Sequence, residues 1–295
     1  MELWIIFSVV AAAAQSVRFA IQKTLAADTL GPAAATWARF LWSAPLVAIG
    51  LWAYLTATGQ TLPDLSLEFW VFGASGGLFQ ILATICTVAL FRRRAFSVGI
   101  TFKKTEVMLT ALAGLVILGD VISTTGAAAI AVGFVAVLLL SSPPEGGSPF
   151  NAGAALGLLS GVFFALAAVT YRGATLSIED ADLIVTAGTT LTMITFLQTV
   201  MLGVWLAFRQ PGQITETLKS WRRSGLVGVF SMIGSFSWFA AFSLQNAAYV
   251  FAVGQIELLF SLLIGRLIWG ERPERRESVG MALLTLSIVT VAAVG

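Results

Sequence analysis

Ser141-Ser142-Pro143-Pro144-Glu145-Gly146-Gly147-Ser148-Pro149 divides a chain of 295 residues almost at its midpoint. Its three prolines and two glycines stop any helix. Outward from it, apolar runs fall in equal number on both sides. Five precede it, at about 2–26, 32–56, 67–91, 96–118 and 124–141, and five follow, at about 150–172, 181–208, 224–244, 247–270 and 278–295. Each is close to the roughly 20 apolar residues that cross a bilayer as a helix. The composition agrees: 58% of residues are hydrophobic and 11% charged, against roughly 25% charged in a soluble domain. The expected fold is an all-α membrane protein of ten transmembrane helices. The connecting loops are too short to hold a soluble catalytic domain.

A central linker prompts a search for internal repetition. At an offset of 151 residues Glu106 meets Glu257, Gly114 meets Gly265, Gly119 meets Gly270, Asp120 meets Glu271, and Thr24-Leu25 meets Thr175-Leu176. One ungapped offset holds from the first span to the ninth. Five is odd, so the second half enters the membrane in the opposite sense, the inverted-topology arrangement of many secondary transporters. The expected units are residues 1–141, a linker at 142–149, and residues 150–295.

Loop charges set the expected orientation. The loops after spans 1, 3, 5, 7 and 9 hold ten basic residues: Arg92, Arg93, Arg94, Arg209, Lys219, Arg222, Arg223, Arg272, Arg275 and Arg276. The even-numbered loops and the tails hold one, Arg172, beside Asp64, Glu68, Asp120, Glu179, Asp180 and Asp182. The positive-inside rule then makes the odd loops cytoplasmic and places both termini outside. Met1-Glu2-Leu3-Trp4 lacks the basic start of a cleaved signal peptide, so the first span is expected to be retained.

Several chemistries are excluded by what the chain lacks. Without histidine, the usual zinc sets, Ser-His and Cys-His nucleophiles and histidine proton relays cannot be built. Cys86 is the single cysteine and has no disulfide partner within the chain. No glycine-rich stretch leads into Lys-Ser or Lys-Thr, so there is no phosphate-binding loop for ATP-driven transport. No basic stretch is long enough for nucleic acid. The expectation is a non-enzyme without cofactor or metal.

Ionisable residues inside spans are costly and point to function. The deep ones are Arg18, Arg39, Lys103, Lys104, Glu106 and Glu257. The two glutamates lie near the centres of spans 4 and 9, where a transporter holds cargo or coupling ion. The structural alternative pairs Glu106 with Lys103 or Lys104, and Glu257 with Arg18 or Arg39. Lys103 and Glu106, three apart, share a helix face. Lys104 points about 100° away and can equally snorkel toward Arg92, Arg93 and Arg94. Gln15 and Gln255 lie within a turn of a deep charge, and Trp238 offers a cavity wall or cation-π surface, with the interfacial belt or plain helix packing as the commoner role of any one aromatic. Gln22, Gln80, Thr84 and Ser235 add polarity to the same helices, and Trp37, Tyr171 and Tyr249 are further aromatics. Gly73 and Gly77 in span 3, and Gly153, Gly157 and Gly161 in span 6, read as close-packing faces.

This pattern resembles the drug/metabolite transporter superfamily, and within it the EamA-type ten-span transporters. The features that carry the resemblance are the two five-helix halves, the central Glu of spans 4 and 9, and the span ends Gly119-Asp120 and Gly270-Glu271-Arg272-Pro273. The resemblance implies a central cavity walled by spans 1, 3, 4, 6, 8 and 9, with spans 5 and 10 set back. Two departures stand out. Proline commonly follows the central Glu in that family, whereas Val107 and Leu258 follow here. The family also usually keeps both termini in the cytoplasm, against the loop charges of this chain.

Together these readings predict a secondary transporter in a bacterial cytoplasmic membrane. It would move a small polar metabolite, an amino acid or related zwitterion or carboxylate, by alternating access. Export coupled to protons is what the resemblance implies. The expected site is Glu106, Glu257, Arg18, Arg39, Lys103, Gln15, Gln255 and Trp238. The expected partners are the small-molecule substrate, protons and the lipid bilayer, with the chain a monomer and a homodimer as the alternative. Efflux of lipophilic cations is one alternative, and a membrane-embedded enzyme or scaffold is another.

Overall fold

The computed structural model describes residues 2–90, 103–140, 152–260 and 275–294. Expectations placed on Arg92, Arg93 and Arg94, on the linker at 141–149 and on the tetrapeptide at 270–273 lie outside the described residues. Among the described residues there are eleven helices and no strand. They are α1 (Leu3–Asp28), α2 (Pro32–Thr58), α3 (Leu67–Leu90), α4 (Glu106–Leu118), α5 (Thr124–Leu140), α6 (Ala152–Leu176), α7 (Leu183–Arg209), α8 (Pro211–Lys219), α9 (Trp221–Leu244), α10 (Ala247–Gly254) and α11 (Arg275–Val294).

Six of them, α1, α2, α3, α6, α7 and α9, are long and apolar enough to cross a membrane, while α4, α5, residues 247–260 and α11 contribute shorter apolar helix. Large apolar side chains stand exposed on outer faces, among them Trp52, Val71, Leu112, Val116 and Phe196. Water would penalise such a surface and lipid does not. The molecule is a multi-pass membrane protein.

α8, which adds to the ten expected spans, differs in kind. The apolar runs predict a loop over 209–223, but Pro211 at the first helical turn starts a nine-residue helix there. Its Ile214 packs against a cluster that includes Leu25, Trp37 and Leu206. Gln213 Oε1 accepts a hydrogen bond from the Gly31 N–H at 2.6 Å. One apolar stripe amid the charges of Arg209, Glu216 and Lys219 gave too short a pattern for a periodicity search to register.

Packing joins the two halves of the chain. α3 lies mainly on α6 and α1 on α9, α2 lies on α7, and α5 on α11. Small residues allow the closest approach. A Cβ on Gly76 would sit 2.6 Å from Thr170 Oγ1 and 2.7 Å from the Tyr171 ring. A Cβ on Gly73 or Gly77 would instead meet Ile194 of α7, at 3.2 and 3.3 Å. The α3 glycines therefore serve contacts within the chain, in lipid where dispersion contacts hold helices together.

Candidate functional site

Helix continuity fails at two related places. Lys103 is helical, Lys104 and Thr105 form a turn, and α4 restarts at Glu106. In the second half α10 ends at Gly254, Gln255 forms the turn, and helix resumes from 256. Thr105 has φ −64° and ψ −12°, and Gln255 φ −62° and ψ −11°. At Gln255 the ladder tightens: its N–H donates to Ala252 O at 3.2 Å, and Leu258 N–H donates to Gln255 O at 2.9 Å. Both turns form without proline. A tryptophan ring abuts the second one, since a Cβ on Gly254 would lie 2.5 Å from Trp238 Cη2.

Each turn delivers a glutamate to the interior. Lys103 Nζ donates to both Glu106 oxygens, at 3.2 and 3.0 Å, and lies 4.8 Å from the Phe164 ring centroid. Lys104 does not snorkel. It is 3% exposed and its Nζ sits 3.7 Å from Glu257 Oε1, an ion pair between halves without a hydrogen bond. The expected face difference between the two lysines holds, but Lys104 takes the place that Arg18 or Arg39 would have filled at Glu257.

An amide links Arg18 to Glu257. Gln15 Nε2 donates to Glu257 Oε2 at 3.1 Å, and Arg18 Nη2 donates to Gln15 Oε1 at 3.3 Å. Arg18 Nη1 donates to Gln22 Oε1 at 2.9 Å, and Gln22 Nε2 donates to Ala35 O at 2.8 Å. Arg39 donates to three hydroxyls: Nε to Ser231 at 2.9 Å, Nη1 to Thr84 at 3.1 Å and Nη2 to Ser235 at 3.0 Å. Both arginines are 2% exposed.

A cavity of about 30 Å³ lies among these groups. Its walls carry Glu106, Glu257, Gln15, Gln80, Gln255 and Ser235, with the rings of Phe164, Tyr171, Trp238, Phe239, Phe242 and Phe251. Five of the eight expected site residues thus line it: Glu106, Glu257, Gln15, Gln255 and Trp238. Arg18, Arg39 and Lys103 stand behind the wall, holding the groups that form it. Trp238 packs edge-on to Phe251, centroids 5.3 Å apart, and stacks on Phe242 at 5.9 Å.

Sequence reasoning missed a cluster on the α3 side. Tyr171 OH donates to Gln80 Oε1 at 2.9 Å, and Gln198 Nε2 approaches Gly77 O, Gln80 Oε1 and Tyr171 OH at 3.0, 3.0 and 3.1 Å. Gln80 and Tyr171 stand out singly in the sequence, but Gln198, 1% exposed, does not, because span 7 carries no deep charge to draw attention to it. An amide amid Thr195-Phe196-Leu197 and Thr199-Val200 was the available signal.

Toward the even-numbered loops the halves are tied together. Gly119, at φ +69°, adopts the left-handed conformation that ends α4, and Asp120 follows it. Arg172 Nε donates to Asp120 Oδ2 at 2.9 Å, while its Nη1 donates to Phe242 O and Gln245 O at 2.7 and 2.8 Å. Arg172, expected in an even-numbered loop, instead lies in the last turns of α6, which runs on to Leu176, and is committed to an ion pair and to the end of α9. Nearby, Tyr249 OH lies 3.0 Å from Ser123 Oγ. Beyond these ties, a cleft of about 990 Å³ opens between residues 59–68 and 173–185.

Residues 151–293 match the EamA-like transporter family. No curated protein matches the chain in sequence. Among solved structures, a crystal structure described only as that of a protein superposes with a TM-score of 0.73, covering 99% of this chain and 96% of that chain at 12% identity. At that identity the likeness speaks for the fold alone.

Proposed function

From the premise that this chain belongs, through its second half, to the EamA-like transporters of the drug/metabolite transporter superfamily, we propose that it exports a small zwitterionic metabolite, an amino acid or close relative, by proton-coupled alternating access. The observation that carries the proposal is the pair Glu106 and Glu257. They are repeat-related, each follows a helix interruption, and both line one cavity. Interrupted helices at mid-membrane are where secondary transporters place cargo and coupling ions.

Other features support it. The packing of α3 on α6 and of α1 on α9 exchanges under the 151-residue offset, in keeping with inverted repeats over residues 1–141 and 150–295. Four buried cations, Arg18, Arg39, Lys103 and Lys104, stand around buried Glu106 and partly buried Glu257, a surplus that a carboxylate-bearing cargo would offset. A cavity of about 30 Å³ holds about one water, so loading requires the halves to part. The loop charges favour an orientation with the odd loops in the cytoplasm and both termini outside; the proposal takes the membrane to be a bacterial cytoplasmic one and the transporter to act as a monomer, its cavity being lined by residues of one chain.

Glu257→Gln tests the coupling in proteoliposomes. The expected variant loses accumulation driven by a pH gradient but keeps exchange of labelled cargo across equal pH. Normal transport with unchanged pH dependence would refute proton coupling at this site. A second reading, efflux of lipophilic cations, is favoured by one observation: carboxylates and six rings form the wall while the cations stand behind it. Tetraphenylphosphonium raising the thermal midpoint of the purified protein, with amino acids having no effect, would decide for that reading.

A further inference from the structure

The amide cluster on the α3 side fixes one more group of the cavity, and the argument runs from a backbone carbonyl outward. Gly77 O can only accept. The end of Gln198 that lies 3.0 Å from it is therefore the nitrogen. The second hydrogen of that nitrogen falls between Gln80 Oε1 and Tyr171 OH, at 3.0 and 3.1 Å. With its oxygen accepting there, Tyr171 turns its own hydrogen to Gln80 Oε1 at 2.9 Å. Two donors converge on one end of the Gln80 amide, so that end is the oxygen. Its Nε2 is left at the cavity with no acceptor among the described residues.

We propose that Gln80 offers its N–H2 group to the carboxylate of the cargo, and that Gln198 is a positioning residue that holds the amide in this sense from behind the wall. The assignment rests on the central cavity being the cargo site. It divides the cavity by chemistry: Glu106 and Glu257, on α4 and beyond α10, accept from an ammonium group, while Gln80 on α3 donates to a carboxylate. A site that hydrogen-bonds a substrate group discriminates strongly against an analogue lacking it, because its own polar group is then left unpaired.

Calorimetric titration of the purified full-length protein with phenylalanine, phenethylamine and 3-phenylpropionate tests this, the phenyl ring being chosen for the aromatic walls. Wild type is expected to bind phenylalanine at least about tenfold more tightly than phenethylamine. Gln80→Leu should bring that ratio near one with phenethylamine affinity kept. Gln80→Glu, which has the same shape and sets an oxygen where the donor was, should favour phenethylamine. Gln198→Leu should lower the ratio in part, whereas a merely structural Gln198 would weaken all probes alike. An unchanged ratio in Gln80→Leu and Gln80→Glu, or equal loss of every probe, overturns the assignment alone. Failure of wild type to bind any of the three overturns the cavity reading and this assignment with it.

Discussion

At the scale of single residues, the interior is organised by who neutralises whom. The lysines are spent on the glutamates, and the arginines on amides and hydroxyls. Arg39 is the sharpest case, since its three nitrogens each meet a hydroxyl, from α3 and α9. Hydrogen bonds from charged groups contribute about 1.5–3 kcal/mol each, and a lysine nitrogen is a single point that cannot span all three. Arg39→Lys should therefore lower stability by about 1–3 kcal/mol, read as a lower thermal midpoint in detergent, although the charge is kept. Much of this scale was legible beforehand. Glu106 and Glu257 were visible because charge inside an apolar run is conspicuous. The partner of Glu257 was not, since a contact between Lys104 and a residue 153 positions away leaves no local trace. The orientation of the Gln80 amide was hidden for the same reason, being set by residues of α6 and α7.

At the scale of elements, termini were the least legible feature. The interruptions at Lys104-Thr105 and Gln255 carry no proline or paired glycines, and only the polar stretches Lys103-Lys104-Thr105-Glu106 and Gln255-Ile256-Glu257 set them apart from the apolar sequence on either side. The cap of α7 is better advertised. Asp182 Oδ1 accepts from the Val185 N–H at 2.8 Å, and Oδ2 accepts from Tyr54 OH at 2.9 Å and Gln60 Nε2 at 2.8 Å. The Val185 N–H foremost, with the Gln60 and Tyr54 side chains, holds this carboxyl below its ordinary pKa against the opposing effect of burial. A depressed folded pKa stabilises above the unfolded value, and that contribution disappears as pH falls through the folded one. Asp182→Ala should cost about 1 kcal/mol at pH 7. The gap to wild type should close as pH drops below about 4, measured by thermal unfolding across a pH series.

At the scale of the whole molecule, the spacing of apolar runs and the central linker foretold a helical membrane protein. They could not foretell the ties that keep its halves closed. Toward the even loops those ties carry charge: Arg172 with Asp120, and Asp182 with Tyr54 and Gln60. Toward the odd loops the described ties are neutral: Gly31 with Gln213, Trp37 with Thr199 O, and Trp42 with Ser224. Ionic strength weakens the first kind and leaves the second nearly untouched. In a Cys86→Ser background, a cysteine at Ser235 should react faster with a hydrophilic thiol reagent after Arg172→Gln. High salt should speed the reaction in the parent and add little in that variant, and equal rates in both proteins would argue that the ion pair bars no path to the cavity. A transporter fastened by charge at one face and by neutral bonds at the other is a valve whose two openings answer to different solutes, so the medium bathing the even-loop face would set the tempo of opening there independently of what is carried.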